Sequence, residues 1–492
     1  MSSFLTTPPE ISSTEVRTLG ALSPARYRRF NLGTTSTIAV RSLLRPSPPY
    51  RLGTEPGSMA YLRESTRSMM RTGALQHHSF SPVVMGETTV PVHPATFVDY
   101  SLGKNWNILL SKDSNIGEVA LVHGEEFQNT MPSSGMVLLN VADPVDQFWV
   151  FGFLKHPSFR EQLMALVPRG ATLAHAKSLW LDCIIPTPYS GSREFKWVSA
   201  TVEAISQWEH EIRFKHRTIL SRLGAQMAWN PKPAIGGETV SSGELRSVGR
   251  LDTGLYSRRY RSVRDAATDA SGKWTRLTDL GLETRRGQNL QVSAIGASQE
   301  ANVPTPGWYR VIKPTDIATE GILTEEKYLG SPRELKTVDA GSIVFGGEAT
   351  WRSMVICEDI VKCTTNIHAT ILEWPGHDLY EAIWLRCWLE FLREHGVLKE
   401  IAAGGLGGSL GIRMYKHVPV PRMDRATKVA VAKLYFNDRC GPFGMEDVER
   451  PAQVRAWTRS AGIWQLDREA KALRLKLSEV QDRILRGQPA GV

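Results

Sequence analysis

Apolar residues in this chain recur at three spacings, and each predicts a different element. Short runs rich in branched side chains, Ile108–Leu110 with Val119–Val122 and Ile343–Phe345 with Met354–Ile356, predict two pairs of strands, each pair joined by a polar loop. Longer apolar stretches, Gln147–Leu154 and Leu379–Leu392, predict helices, and a shorter one lies at Val429–Phe436. Two segments repeat on a heptad. Val198, Ile205, Ile212 and Ile219 stand seven apart, supported by Val202, Trp208 and Leu223, with Gly224 as a stop. Leu466, Ala470, Leu473, Leu477, Val480 and Ile484 alternate four and three apart up to Gly487, a coiled-coil spacing. Such a seam has to be buried. Either the two long helices pair with each other, antiparallel, or each packs on its own domain.

The predicted elements come in the same order twice. Leu22–Tyr27 is echoed by Leu251–Tyr256, Met69–Leu75 by Val311–Ile317, Trp106–Asp113 by Gly341–Glu348, and Ile185–Pro188 by Val418–Pro421. The offsets stay close to one another, so the pattern reads as a duplicated domain and not a solenoid. Each half opens with an aromatic and basic helix start, Ala25–Phe30 or Leu255–Val263. Strands, an apolar helix, and a glycine-containing loop that leads to a P-x-P strand end then follow. A sheet with a few helices in each half makes α+β the expected class.

Composition narrows the function. With 41% hydrophobic and 22% charged residues the chain is ordinary for a folded protein. No apolar run reaches the length of a bilayer span, and Met1–Gly20 does not read as a secretory signal. Lys and Arg exceed Asp and Glu by 59 to 50, a net charge of +9, which fits contact with a polyanion. The five cysteines are scattered with no C-x-x-C pair, so reduced thiols, a cytoplasmic location and no structural zinc are expected.

Catalytic motifs are not expected. Gly404–Gly411 lacks the lysine of a phosphate-binding loop and follows a helix, so it reads as a connector or as backbone that approaches a ligand closely. Ser47-Pro-Pro-Tyr50 has the form of the DNA amino-methyltransferase box without a glycine-rich cofactor loop nearby, and it reads as a proline-rich loop. Glu358–Lys362 has no upstream acid, the histidines including His77 and His78 lack metal-ligand spacing, and neither a G-x-S-x-G elbow nor H-E-x-x-H is expected.

Basic and amide side chains cluster in both halves. Arg63, Arg67 and Arg71, and the polar loop Lys112, Ser114 and Asn115, lie in the first, with Arg169 beyond. Arg285, Arg286, Gln288 and Asn289, then Lys313, Thr350 and Arg352, and Gly407 and Ser409, lie in the second. Arginine reads guanine edges, and asparagine or glutamine reads adenine, so these are the candidate DNA contacts.

Arg250–Tyr256, Arg285–Gln288, Tyr309–Ile317, Asp339–Phe345 and Gly404–Pro421, with their first-half echoes and the two long helices, resemble the specificity (S) subunits of type I restriction–modification systems. The resemblance implies two target-recognition domains, residues 21–190 and 245–423, after an N-terminal arm of residues 1–20. It also implies a central helix and linker, 191–244, and a C-terminal helical region, 424–492, with the helices paired as an antiparallel coiled coil. It further implies a non-catalytic reader of a split, asymmetric site on double-stranded DNA. The partners would be DNA-methyltransferase subunits and a restriction or translocase subunit, with S-adenosylmethionine bound only by the methyltransferase. The seam would be Val198, Ile205, Ile212, Ile219, Leu466, Leu473, Leu477, Val480 and Ile484. Pro421–Ala426 lacks the glutamine that often follows the P-x-P in that family, Arg45–Pro56 looks like an insertion, and residues 424–465 form a long spacer. A variant defence system, a stand-alone nuclease or methyltransferase, and a duplicated-domain protein scaffold are the alternatives.

Overall fold

In the computed structural model, which describes residues 4–19, 27–34, 36–84, 88–101, 105–166, 175–229, 239–268, 273–348, 350–358, 360, 362–376, 378–403 and 408–491, the chain falls into two units. One is Met1–His210 with Phe443–Thr458 and Arg468–Val492, and the other is Glu211–Pro442 with Arg459–Asp467.

The strands of the first unit are β1 (Leu5–Thr6), β2 (Arg29–Phe30), β3 (Thr37–Ala39), β4 (Tyr50–Leu52), β5 (Ser68–Met70), β6 (Thr89–Pro91), β7 (Trp106–Ser111), β8 (Val119–His123), β9 (Thr130–Pro132), β10 (Met136–Leu139) and β11 (Ile184–Pro186). The second unit has β12 (Thr275–Arg276), β13 (Glu283–Arg286), β14 (Gln299–Ala301), β15 (Tyr309–Ile312), β16 (Lys327–Gly330), β17 (Ile343–Gly346), β18 (Ser353–Val355), β19 (Cys363–Thr365), β20 (Ala369–Glu373) and β21 (Pro419–Val420).

The two units repeat one topology. An antiparallel sheet runs β4-β10-β7-β8 in the first and β13-β20-β17-β18 in the second. Beside it, β5 pairs antiparallel with β6 and parallel with β9, as β15 does with β16 and β19. A two-stranded ribbon closes each unit, β11 on β3 and β21 on β12. The registers agree as well. Val137 lies opposite Leu52 and Leu110, and Thr370 lies opposite Arg286 and Phe345. One core is Leu109, Ala120, Val122, Met136 and Leu138 with Met70 and Leu75, and the other is Val344, Met354, Ile356, Ala369 and Ile371 with Ile312 and Ile317. The central strands are buried on both faces, which is why they read as continuous apolar runs and not as alternation.

A glycine marks the closest backbone crossing in each unit. Gly53 donates to the Met136 carbonyl, and Gly287 to the Ala369 carbonyl. A Cβ at Gly53 would collide with the Ser133 carbonyl, and one at Gly287 with the Asn366 carbonyl.

The predicted apolar helices, Gln147–Lys155 and Leu379–Glu394, each supply a buried cation. Lys155 Nζ donates to the carbonyls of Val119 (2.9 Å) and Gln76. Arg386 Nε and Nη2 donate to the carbonyls of Ser353 (2.9 Å) and Thr319 (2.7 Å). Burial pushes the Lys155 amine down to about 8, opposed by the nearby Glu118 carboxylate. Each helix also donates a tryptophan N–H to the P-x-P end, Trp149 to the Pro186 carbonyl (2.9 Å) and Trp388 to the Pro419 carbonyl (2.7 Å).

The long helices span Arg193–Gln226 and Ile463–Leu485. Val198, Ile205, Ile212, Ile219, Leu466, Leu473, Leu477 and Val480 are buried. Ile484 is only half-buried and the adjacent Leu485 takes the buried place, because the last turn meets Gly33, whose N–H donates to the Leu485 carbonyl (2.8 Å). Within the first unit, Glu209 pairs with Arg474, while Val202 and Gln481 both lie against Gly152. The spacer also finds a place there. Trp208 donates to the Thr458 hydroxyl (2.8 Å) and its ring meets Phe443 and Trp457.

Three local expectations are corrected. Gly224 does not stop its helix, which continues to Gln226, and the missing side chain leaves room for Phe391. Arg45–Pro56 is not an insertion, since Tyr50–Leu52 pairs with β10 as β13 pairs with β20. Ala25–Phe30 does not open a helix in its described part, because Arg29–Phe30 is a strand paired with Leu5–Thr6. Residues 22–26, and with them most of the first echo, lie outside the described residues.

All five cysteines are unpaired, and among the described residues no helix is long and apolar enough to cross a membrane.

Gly53→Ala and Gly287→Ala should each lower stability by about 2–3 kcal/mol in denaturant unfolding, because backbone and not a flexible side chain occupies the space. Unchanged midpoints would mean that the strands do not cross that closely. Leu473→Glu places a charge at a buried position and should cost several kcal/mol, read as a lowered melting temperature.

Candidate nucleic-acid interface

The strands β5 and β15 end on a cation. Arg71 precedes the 3-10 turn Thr72–Ala74, and Lys313 precedes the 3-10 turn Pro314–Asp316. The turns share their bonds. Ala74 N–H donates to the Arg71 carbonyl and Asp316 N–H to the Lys313 carbonyl, both at 2.9 Å. The short helix forms because a cap residue in extended conformation is followed by small or proline residues that tolerate the tight turn.

Side chains from the neighbouring hairpin pin each turn from behind. Asn115 Nδ2 donates to the Leu75 carbonyl (2.6 Å), and Arg352 Nη1 to the Ile317 carbonyl (3.1 Å). The buried Lys155 and Arg386 hold carbonyls one and two residues further along, those of Gln76 and Thr319. In the first unit Glu209 accepts from the main-chain N–H of Phe80 (3.1 Å) and Ser81 (2.8 Å) and from the Ser79 hydroxyl (3.0 Å), with Arg474 on its other side. In the second unit Tyr435 donates to the Gly321 carbonyl (2.6 Å). Each basic side chain is therefore carried by a turn that is fixed at both ends.

Beside Lys313 the second unit has a groove of about 260 Å³, lined by Asn289, Gln291, Lys313, Lys327, Tyr328, Asn366 and His368 among others. Carboxylates sit against its cations, Glu300 at 3.5 Å from Lys313 and Asp316 at 2.8 Å from Lys327. The Asp316 hydrogen bond pushes the Lys327 ammonium up, so it stays charged. Burial and the Glu326 hydrogen bond push the Tyr328 phenol up, and since its O–H donates to Glu326 (2.6 Å) it offers the groove an oxygen acceptor. Arg286 reaches the same rim through Glu348, which lies 3.7 Å from Arg286 and 2.8 Å from His368 Nδ1. The first unit repeats an acid–histidine contact at the matching strand end, Asp113 with His175 at 2.7 Å. Such a surface offers cations for phosphates and amide, imidazole and phenol groups for base edges.

Solved structures to which this chain is similar include three from type I restriction–modification systems. The S subunit of a type I restriction–modification system from M. genitalium is 13% identical with a TM-score of 0.38, covering 93% of this chain and 96% of that one. The HsdS subunit from Thermoanaerobacter tengcongensis is 12% identical with a TM-score of 0.26, covering 92% and 97%. A chain from a structure on complex assembly and conformational transition of the type I R-M system is 12% identical with a TM-score of 0.26, covering 92% and 99%. No family model and no curated protein matches this chain.

The structure sorts the sequence candidates into groups. Asn289 and Lys313 line the groove, and Arg286 and Ser409 adjoin it through Glu348, to which Ser409 is bridged. Arg71, Arg63 and Ser114 are exposed. Gln288 bridges Asn366, and Lys112 pairs with Asp113 at 2.8 Å. Arg67 binds Asn129 and stacks on Phe97. Three others work inside the fold. Arg285 binds Glu373 and the Thr337 carbonyl, while Asn115 and Arg352 hold the turns. Thr350 is half-buried against Gly346. Arg169 and Gly407 lie outside the described residues.

One motif reading is corrected. Gly407–Gly411 does have the G-x-S-x-G spacing. Ser409 is no strand-to-helix elbow, since it exchanges main-chain hydrogen bonds with Ala403 and is followed by the 3-10 segment Ile412–His417. The groove residues Gln291, Lys327, Tyr328, Asn366 and His368 carry no local motif, and only the duplicated strand order could have located them.

Asn115→Ala should cost about 1–2 kcal/mol in unfolding, because the Leu75 carbonyl loses its donor. Glu209→Ala should cost more, about 3–5 kcal/mol, because Arg474 and the donors at Phe80 and Ser81 lose their acceptor together. Equal, small effects would mean that Glu209 does not hold this loop.

Proposed function

We propose that this chain is the non-catalytic, DNA-reading specificity subunit of a type I-like restriction–modification complex. Each unit would read one half of a split site. The observation that carries this reading is the pairing of a repeated frame with a divergent rim. Arg71 and Lys313 stand at matching turns, whereas the matching rim positions differ, Leu52 against Arg286 and Val90 against Lys327. A shared cation suits phosphate, which is the same in every sequence, and a variable rim suits two different half-sites. The chain's excess of +9 agrees with a polyanionic partner.

In this reading residues 21–190 and 245–423 are the two target-recognition domains, and the long helices pair antiparallel as a coiled coil that receives DNA-methyltransferase subunits. The approach of Val202 and Gln481 to the same side of Gly152, and the ion pair of Glu209 with Arg474, support that pairing, since numbers fall along one helix as they rise along the other. S-adenosylmethionine would belong to the methyltransferase, and the complex would work in the cytoplasm with a restriction subunit as a further partner.

The test is binding to a randomised duplex pool between ~50 and ~200 mM salt, with the protein alone and with its methyltransferase. Affinity should fall steeply with salt, and one bipartite sequence should be enriched. Arg71→Ala and Lys313→Ala should each weaken binding about tenfold, through opposite halves of that sequence. Salt-independent binding, or loss through the same half, would overturn the two-reader arrangement.

A further inference from the structure

We propose that Glu55 and Asn289 are matched base readers with different targets. Glu55 accepts from the exocyclic amine of a cytosine in one half of the DNA site, and Asn289 pairs with an adenine in the other. This rests on the DNA-reading function proposed above.

The two residues hold one place in the repeat, and main-chain hydrogen bonds fix it. Each stands two residues after a crossing glycine, Gly53 or Gly287, whose N–H donates to the carbonyl of Met136 or Ala369. The residue between continues the match. Thr54 N–H donates to the Pro132 carbonyl (2.9 Å), and Gln288 N–H to the Thr365 carbonyl (2.8 Å). Pro132 in turn lies opposite Met70, and Thr365 opposite Ile312, the residues just before Arg71 and Lys313. The backbone that leads to Glu55 and to Asn289 is therefore anchored to the same strands in the same register.

A third matched position joins each reader to its cation. Tyr61 bridges Val92 as Glu300 pairs with Leu329. In the first unit Tyr61 donates to Glu55 Oε1 (2.5 Å), and Arg71 acts on the same phenol. In the second unit Glu300 lies 3.5 Å from Lys313, and both line the groove with Asn289. Each trio holds one carboxylate, but not at the same position. In the second unit it is next to the cation. In the first a phenol takes that position, and the carboxylate stands at the place of Asn289. An acid needed only to hold the cation would sit where Glu300 does.

What each reader can bind follows from its atoms. Glu55 is exposed, and its carboxylate only accepts; Tyr61 takes Oε1, which leaves Oε2 for a further donor. In the major groove cytosine presents a donor amine alone, guanine presents two acceptors, thymine an acceptor beside its methyl, and adenine one donor and one acceptor. A carboxylate therefore selects cytosine and repels the acceptors of the other three. Asn289 Oδ1 accepts from the Gln291 N–H (3.1 Å), which orients the amide, and the side chain can both donate through Nδ2 and accept through the second lone pair of Oδ1. That pattern matches N7 and N6 of adenine.

The test exchanges one oxygen for one amide nitrogen in each direction. Wild type, Glu55→Gln and Asn289→Asp are each selected against a randomised duplex pool. Both variants keep an oxygen to accept from Tyr61 or from the Gln291 N–H, and both should melt like wild type. Glu55→Gln should change one position from cytosine to adenine, in the half that Arg71→Ala weakens. Asn289→Asp should change one position from adenine to cytosine, in the half that Lys313→Ala weakens. Each variant should bind the wild-type duplex about tenfold more weakly and recover on the duplex carrying its own base. Unaltered sequence preference, a change in the wrong half, or a change to guanine or thymine would overturn the inference. Tighter binding of Glu55→Gln to every duplex alike would overturn it too, since the carboxylate would then act only by its charge. If wild type enriches no sequence at all, the DNA-reading function itself fails, which is a different result from one sequence enriched equally by all three proteins.

Discussion

Lys155 and Arg386 occupy matching points of the two units, and much of the surrounding geometry depends on them. Each side chain leaves an apolar helix, enters the core and donates to the carbonyl at the start of an edge strand, Val119 or Ser353, and to the carbonyl beyond a basic turn, Gln76 or Thr319. A buried cation is costly unless it is hydrogen-bonded, and a buried carbonyl is costly unless it accepts. One side chain therefore settles the needs of three elements at once, and helix, sheet and turn cannot shift independently. The chemistry differs while the geometry repeats. A lysine with Glu118 nearby does in one unit what an arginine close to Glu390 does in the other.

This anchoring separates two tasks within each unit. Residues that could contact DNA by type, Asn115, Arg285 and Arg352, are bonded to the frame, to the carbonyls of Leu75, Thr337 and Ile317. At the rim, Arg71 and Lys313 keep a cation at the matching turn, while Arg286 and the groove around Asn289 have different residues at the matching positions of the first unit. A duplicated protein can diversify in this way, because the frame tolerates little change and the rim tolerates a great deal. The crossing glycines are the extreme case, identical in both units because no side chain fits.

The duplication is legible in the order and spacing of the residues. Three of the four echoes fall on matching strands, β5 with β15, β7 with β17 and β11 with β21. Both hairpins, both apolar helices and most of both heptad runs lie where periodicity predicts. The departures share a cause. At Gly224, Arg45–Pro56 and Ile484 residue type points one way, while the outcome depends on a neighbour distant in sequence: Phe391, β10 and Gly33.

The chain by itself determined the element types, the repeat, and a set of basic and amide residues broad enough to include the turn cations. Those follow from spacing and composition, which are local. Which of these residues face outward was decided only by tertiary structure. Arg285 and Arg286 are neighbours of one type on one strand, yet the first binds Glu373 and the Thr337 carbonyl while the second stands at the rim. Successive side chains of a strand point to opposite faces, and what each can bond to is set by the segments that pack there, here residues 52 and 88 positions away.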